Sequence, residues 1–351
     1  MRNKITLLFL LISYLVDAQI GGTGIYNFLY LQPNARIAAL GGNAIATPDN
    51  DINLAIQNPS LLNKNFNNQI GMSFVNYFAG IKAGDVSFAK HIDTLHTTFS
   101  GGLQFVNYGD FTKTAPDGQV LGTFSAGEYN FHLSAARVYN QYQYGASLKF
   151  INSTLEAYNS YGIAFDVAGS WISKDRLMLA TAVVSNVGQQ LKSYSNQNNE
   201  SIPYNVQLGF SKKFEHNPLR IGIIAHDLQN FGKLLYQIDN RNNKNIDLET
   251  GLAIQEKFTV LDQMMSHLII NTELVFGKSL NIRFGYNALR RREMELTNIR
   301  SMAGFSWGFG VKINRFQVSY GSGTFLAGRT TNNFSIITRL DDFKRKKTST
   351  N

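Results

Sequence analysis

The chain contains no cysteine. That excludes disulfides, thiolate metal sites and a cysteine nucleophile, and it suits a compartment in which a free thiol would be oxidised. Charge is also scarce. Asp, Glu, Lys and Arg make up 16% of the 351 residues, against roughly 25% in ordinary soluble domains. Only 2 tryptophans occur, beside 16 tyrosines and 25 phenylalanines. No segment after Ala18 is a continuous apolar run of the ~20 residues that a spanning helix needs, so the mature chain can enter a bilayer only as strands. The net charge of +9 and pI of about 9.5 raise the question of nucleic acid. Lys and Arg are scattered, however, and no recognition motif accompanies them, which argues against that partner.

What is present points to membrane strands. Thirty glycines and 12% aromatics accompany a mean hydropathy of −0.16. Such near-neutrality arises when polar and apolar residues alternate and average out along the strands of a transmembrane barrel. The length suits one large barrel or two ordinary domains.

Met1 to Ala18 reads as a secretory signal. Arg2 and Lys4 form a basic start, Ile5 to Val16 is mostly apolar, and Val16 and Ala18 are small enough for the cleavage positions before Gln19. Cleavage would remove Arg2, Lys4 and Asp17.

Pro33 to Leu62, within the segment 19–68 that precedes the strands, is the one stretch of the mature chain built of small-residue turns and short amphipathic pieces. Gly21-Gly22-Thr23-Gly24 lacks the Gly-Lys-Ser/Thr of a phosphate loop and reads as a turn. Asn34 to Ala39 can form a short helix after Pro33, and Gly41-Gly42 would end it. Asp49-Asn50-Asp51-Ile52-Asn53 has the oxygen spacing of a calcium loop, but Leu54 stands where its sharp-turn glycine belongs and Ser60 where its bidentate glutamate belongs. A capped helical start at Asp51 is the better reading. Asn58-Pro59 stops it, because a residue before proline disfavours the helical region.

From Gln69 the period changes to two. Tyr129, Phe131, Leu133 and Ala135 alternate with Asn130, His132, Ser134 and Ala136. Tyr142, Tyr144, Ala146, Leu148 and Phe150 behave likewise, as do Tyr161, Ile163, Phe165 and Val167. Strict alternation gives each strand one apolar and one polar face. Tyr129, Tyr142, Phe150 and Tyr161 lie near strand ends, as the aromatic girdles of an outer-membrane barrel do. About 13 strands can be counted in residues 69–340. Because bacterial single-chain barrels have even strand numbers, the expected fold is a transmembrane antiparallel β-barrel of about 14 strands, with the missing one between Leu228 and Thr259. Residues 19–68 are then an N-terminal hatch in its lumen, and residues 341–351 a basic tail. Asn107–Gly122 and Gln189–Ser201 read as exposed loops, and Glu256 to Met265 as a short helix in another. Arg290-Arg291-Arg292 reads as a solvated connector.

Little of this points to catalysis. His132 and Ser134 share one strand face at a spacing that an outer-membrane phospholipase uses. They sit on the polar face, away from lipid, with no third orienting group in view. The remaining histidines lack metal-ligand spacing, and acidic residues form no close pair. No enzyme, metal or cofactor is expected.

A family resemblance accounts for nearly the whole mature chain. The opening GGTGIYNFLYLQPNARIAALGGNAIATPDNDINLAIQNPSLLN resembles that of the PorQ family, outer-membrane components of the type IX secretion system of Bacteroidetes. The likeness continues through VNYFAGIKAGDVSFAKH, GGLQFVNYGDF, LKFINSTLEAYNSYGIAFDV, RFGYNALRRREMEL and MAGFSWGFGVKINRFQVSYGSG. The block containing Arg36, Gly41, Gly42, Asn58 and Pro59 also resembles the FadL-like barrels and the related PorV, in which a hatch precedes a barrel. There the block commonly ends Asn-Pro-Ala, while this chain has Ser60. The resemblance implies a non-enzymatic role in the outer membrane. A PorQ-like protein would hold a PorZ-like surface protein and work with PorU and PorV to attach secreted cargo to anionic lipopolysaccharide. The motif residues are implied to be structural. A FadL-like channel for hydrophobic small molecules is the alternative.

Overall fold

A computed structural model describes residues 24–195, 199–231, 259–277, 279–294, 302–326 and 329–343. The expected signal peptide, most of the stretch between Leu228 and Thr259 and most of the basic tail lie outside the described residues.

Fourteen strands make one closed antiparallel barrel. They are β1 (Gln69–Asn76), β2 (Lys82–Ile92), β3 (Thr97–Thr114), β4 (Val120–Tyr139), β5 (Tyr142–Leu155), β6 (Tyr158–Ile172) and β7 (Met178–Lys192). The second half comprises β8 (Asn205–Lys213), β9 (Leu219–Ala225), β10 (Leu268–Phe276), β11 (Leu280–Asn287), β12 (Phe305–Ile313), β13 (Phe316–Leu326) and β14 (Arg329–Arg339). Each strand pairs with the next, and β1 closes on β14 from Gln69↔Arg339 to Asn76↔Asn332. Closure leaves the sheet with no free lateral edge.

The period-two rhythm decides which side chains face outward. On β4, Tyr129, Phe131 and Leu133 are exposed, whereas Asn130, His132 and Ser134 are buried. The same split runs along β5, β6 and β12. The outer surface is therefore apolar and the inner one polar, as a barrel in lipid requires. No described helix is long and apolar enough to cross a membrane.

The expected missing strand between Leu228 and Thr259 is not needed. β9 pairs directly with β10, from Ala225↔Leu268 to Leu219↔Leu274, so the ring closes on fourteen without it. Both expected loops are also shorter than anticipated. Asn107–Gly122 is mostly strand: β3 and β4 continue pairing from Gly109↔Ala126 to Thr114↔Val120, past bulges in the ladder. β7 likewise runs on to Lys192, opposite Tyr161. Polar turn-forming residues hid these extensions, because above an apolar layer a strand no longer needs alternation.

The two ends of the barrel differ. Short turns such as Asn140-Gln141 and Asn314-Arg315 lie at the end where the chain enters β1 and leaves β14. Asn140 and Asn314 take positive φ, a conformation that asparagine tolerates. The long connections and the β3–β4 ribbon lie at the other end, which in bacterial barrels faces outward.

The hatch fills the lumen. Near the outer rim, Tyr26, Phe28 and Leu29 pack against Val106, Ile151 and Ile202. At mid-height, Ile37, Leu40, Ile45 and Leu54 meet Ala168, Leu179, Val183 and Ile224. Near the inner rim, Ile52, Leu62 and Phe66 meet Ala89, Ala136 and Ile337.

Candidate functional site

The hatch begins its deepest contact at α1 (Ala35–Ala39). Asn34 caps it: its side-chain oxygen accepts from the backbone N–H of Arg36 at 2.8 Å and of Ile37 at 2.9 Å. At the other end Gly42 N–H donates to the Ile37 carbonyl at 2.9 Å and Gly41 N–H to that of Ala38 at 3.3 Å. That pairing is a Schellman motif. It requires left-handed backbone, which Gly41 and Gly42 supply with φ of 90° and 91°. The helix lies so close to the wall that a Cβ at Gly321 would stand 2.0 Å from the Ala35 carbonyl oxygen, and one at Gly285 2.2 Å from Gly41 N. Only glycine admits that approach.

Capping directs Arg36 into the wall. Its Nε donates to Glu273 Oε1 at 3.0 Å and a terminal nitrogen donates to Oε2 at 2.9 Å. It also reaches Asp51 at 3.4 Å and pairs with Asp49. Asp49 in turn receives Arg220 in bidentate fashion, both contacts at 2.8 Å. Glu273 accepts from Arg220 at 2.6 Å and from Arg283 Nε at 2.9 Å. Arg220, Glu273 and Arg283 are directly opposed across β9, β10 and β11. Three arginines and three carboxylates thus form one neutral cluster joining two turns of the hatch to three strands. Burial alone would lower the Arg36 pKa, but Glu273, Asp49 and Asp51 raise it well above its ordinary value. Burial likewise opposes ionisation of Asp49, yet Arg220 and Arg36 bring its carboxyl well below the usual range. For Asp51 burial prevails, and its pKa is raised despite Arg36 and Arg283.

The motif residues do not meet in one place. Asn58 lies against β6 and β7, where its Nδ2 donates to the Ile45 carbonyl at 2.8 Å and to Thr181 Oγ1 at 3.0 Å. Its Oδ1 accepts from Ser60 Oγ at 2.6 Å, and Ser60 shares a 2.6 Å hydrogen bond with Ser170. Pro59 opens a 3₁₀ turn and its carbonyl fills the space where a Gly145 Cβ would sit. Gly41 is held by Asn287, whose Nδ2 donates to the Gly41 carbonyl at 3.1 Å. Arg36 and the glycine pair therefore rivet the hatch to β9, β10 and β11, and Asn58-Pro59 rivets it to β5, β6 and β7.

His132 and Ser134 have different hydrogen-bond partners. His132 is buried with Nε2 3.4 Å from Ser87 Oγ, while Ser134 shares its 2.7 Å hydrogen bond with Ser147. The base thus faces a different serine from its supposed nucleophile. The arginine connector also needs correcting. Arg290–Arg292 lie on α3 (Ala288–Glu293), capped by Asn287. Arg292 donates to Asp262 at 2.5 Å, on α2 (Val260–Ser266), which opens with a capping box at Thr259. Hydrogen bonds from Thr259 and Arg292 lower Asp262 to about 2. Arg290 turns inward, beside Gly42. Folding over the lumen, not solvation, places these residues.

Sequence reading missed the ion cluster. It found no close acidic pair, because Arg36 and Glu273 are 237 positions apart. The available signal was Arg220, Glu273 and Arg283 on inward faces that otherwise carry uncharged residues.

No family model and no curated protein matches the sequence. Solved structures do match in shape. The Ralstonia pickettii toluene transporter TbuX aligns with a TM-score of 0.51 at 11% identity, over 90% of this chain and 100% of that one. The Pseudomonas putida toluene transporter TodX gives 0.45 at 12%, covering 87% and 96%. A Pseudomonas aeruginosa FadL homologue gives 0.45 at 8%, covering 87% and 97%. The fold is that of an outer-membrane barrel. At these identities the likeness speaks for architecture and leaves the cargo open.

Proposed function

We propose that this protein is a non-catalytic platform in the outer membrane, a PorQ-like component of type IX secretion that holds a PorZ-like surface protein beside PorU and PorV and so supports attachment of cargo to lipopolysaccharide. The observation that carries the platform reading is the β3–β4 ribbon. Its ladder continues after β2 has stopped at Lys82↔Asn107 and β5 at Leu155↔Ala126. Phe111 and Phe124 stack on it at 5.3 Å, and Phe111, Val120 and Leu121 are exposed above the Tyr129–Tyr161 level. Apolar side chains standing in water beyond a membrane girdle fit a partner contact. The identities of the system and the partner rest on the sequence resemblance alone.

A FadL-like channel for hydrophobic small molecules is the second reading. The likeness to a toluene transporter speaks for it more directly than any comparison speaks for secretion. Against it stand the riveted hatch and a void in the lumen lined chiefly by polar side chains.

Affinity purification from outer membranes separates the two. The intact protein should retain a surface partner, and a variant in which residues 109–122 are replaced by a two-residue turn should lose it while remaining folded. Toluene and fatty-acid uptake should be the same with and without the protein. Robust uptake with no retained partner would favour the channel.

A further inference from the structure

The hatch leaves a void inside the barrel. Its volume is about 180 Å³, below the ~300–1,000 Å³ of pockets for drug-sized ligands and suited to a single ring. Carboxamides dominate its lining, among them Gln32, Asn43, Gln57, Gln104, Asn205 and Gln207. Tyr30, also in the lining, is 41% exposed.

Two of its lining side chains carry polar atoms with no hydrogen-bond partner among the described residues: Gln32 Oε1 and His226 Nε2. His226 is only 6% exposed. Its Nδ1 lies 2.6 Å from Asp227 Oδ2. Donation from Nδ1 to that carboxylate leaves Nε2 of the neutral ring as an acceptor. Lys149 and Arg290 also line the void, but Lys149 is answered by Asp166 at 2.7 Å and Arg290 has Glu293 near it. An unmet buried polar atom keeps its full desolvation penalty, so an apolar guest would leave this wall worse off than water does. A guest whose groups both donate and accept would match the carboxamides, the free acceptor on Gln32 and that on His226.

We infer that this void is a binding site for a small, neutral, hydroxyl-rich solute of monosaccharide size. The inference goes beyond the platform reading and stands or falls separately from it, since partner retention is read by a different experiment.

The test is calorimetric titration of the intact protein in a sugar-free detergent with D-glucose, D-galactose and, as the apolar comparator, toluene. The expected result is saturable binding of at least one sugar and none of toluene. Ser185→Phe, which fills the void, and Gln32→Leu, which changes the hatch side, should each weaken sugar binding at least tenfold while the barrel keeps its heat-modifiable mobility. If Ser185→Phe fails to fold, Gln32→Leu carries the test alone. Saturable binding of toluene with none of sugar, no saturable binding of any probe, or unchanged affinity in a folded variant would overturn the proposal.

Discussion

Arg36 and Glu273 are 237 positions apart in sequence and meet inside the barrel through two hydrogen bonds, of 3.0 and 2.9 Å. One belongs to the hatch and the other to the middle of β10, so their pairing ties the two parts of the molecule at its core. Arg36→Met removes a guanidinium from among three carboxylates and leaves only Arg220 and Arg283 to face them. Removing one partner of a buried pair costs ~3–5 kcal/mol, and denaturant unfolding in detergent should show a loss of that size. Arg36→Met combined with Glu273→Gln should cost less than the sum of the two single changes.

The hatch helix rests on glycine, which gives a prediction with an internal control. A side chain at Gly321 would meet the Ala35 carbonyl at 2.0 Å, while one at Gly169 would meet nothing within 4 Å. Gly321→Val should displace the hatch and expose residues 35–42 to limited proteolysis. Gly169→Val should leave the cleavage pattern unchanged.

Asn58 holds the second rivet through Ile45, Thr181, Ser170 and both the amide and the hydroxyl of Ser60. Asn58→Ala strands several of them in a dry site. A cost of ~1–3 kcal/mol is expected for an unsatisfied buried group, read as a lower unfolding midpoint. Asn58→Asp should be no milder, because it brings an unpaired charge into the same place.

Acid below about pH 4, and not a change within the neutral range, should loosen the outer cover. Asp262 has a folded pKa of about 2 against an ordinary value of 3.8. A depressed carboxyl contributes stability that is fully present above its unfolded pKa and fades as pH falls towards the folded one. The contact between α2 and α3 should therefore hold from pH 7 to about pH 4 and weaken between about 4 and 2. Asp49 shifts in the same direction, so its grip on the hatch should likewise be constant above the ordinary carboxylate range. Hydrogen exchange at residues 259–266 and 35–42 across that window checks both. Loosening already near pH 6 would contradict the assignment.

The barrel was legible because its grammar is local. Tyr129 to Ala136 announces a two-faced strand from eight consecutive residues, and repetition of that pattern implies the closed ring. The helix at Asn34 and its glycine stop were legible for the same reason, since caps are read from neighbours. The ion cluster was not, because nothing near Asp49 in sequence indicates that Arg220 will reach it. The ribbon was misread because Pro116-Asp117-Gly118 signals a turn but not its width: the strands run to Thr114 and resume at Val120. Arg290 was misread because three adjacent arginines look solvated until α3 turns the first one inward.

An ion-locked hatch closes the barrel. Single-channel recording in planar bilayers tests it most directly, comparing the wild-type protein with Arg36→Met. The account predicts that the wild type inserts and stays electrically silent, while Arg36→Met shows stepwise conductance as the hatch comes free. Porin-like steady conductance from the wild-type protein would contradict it.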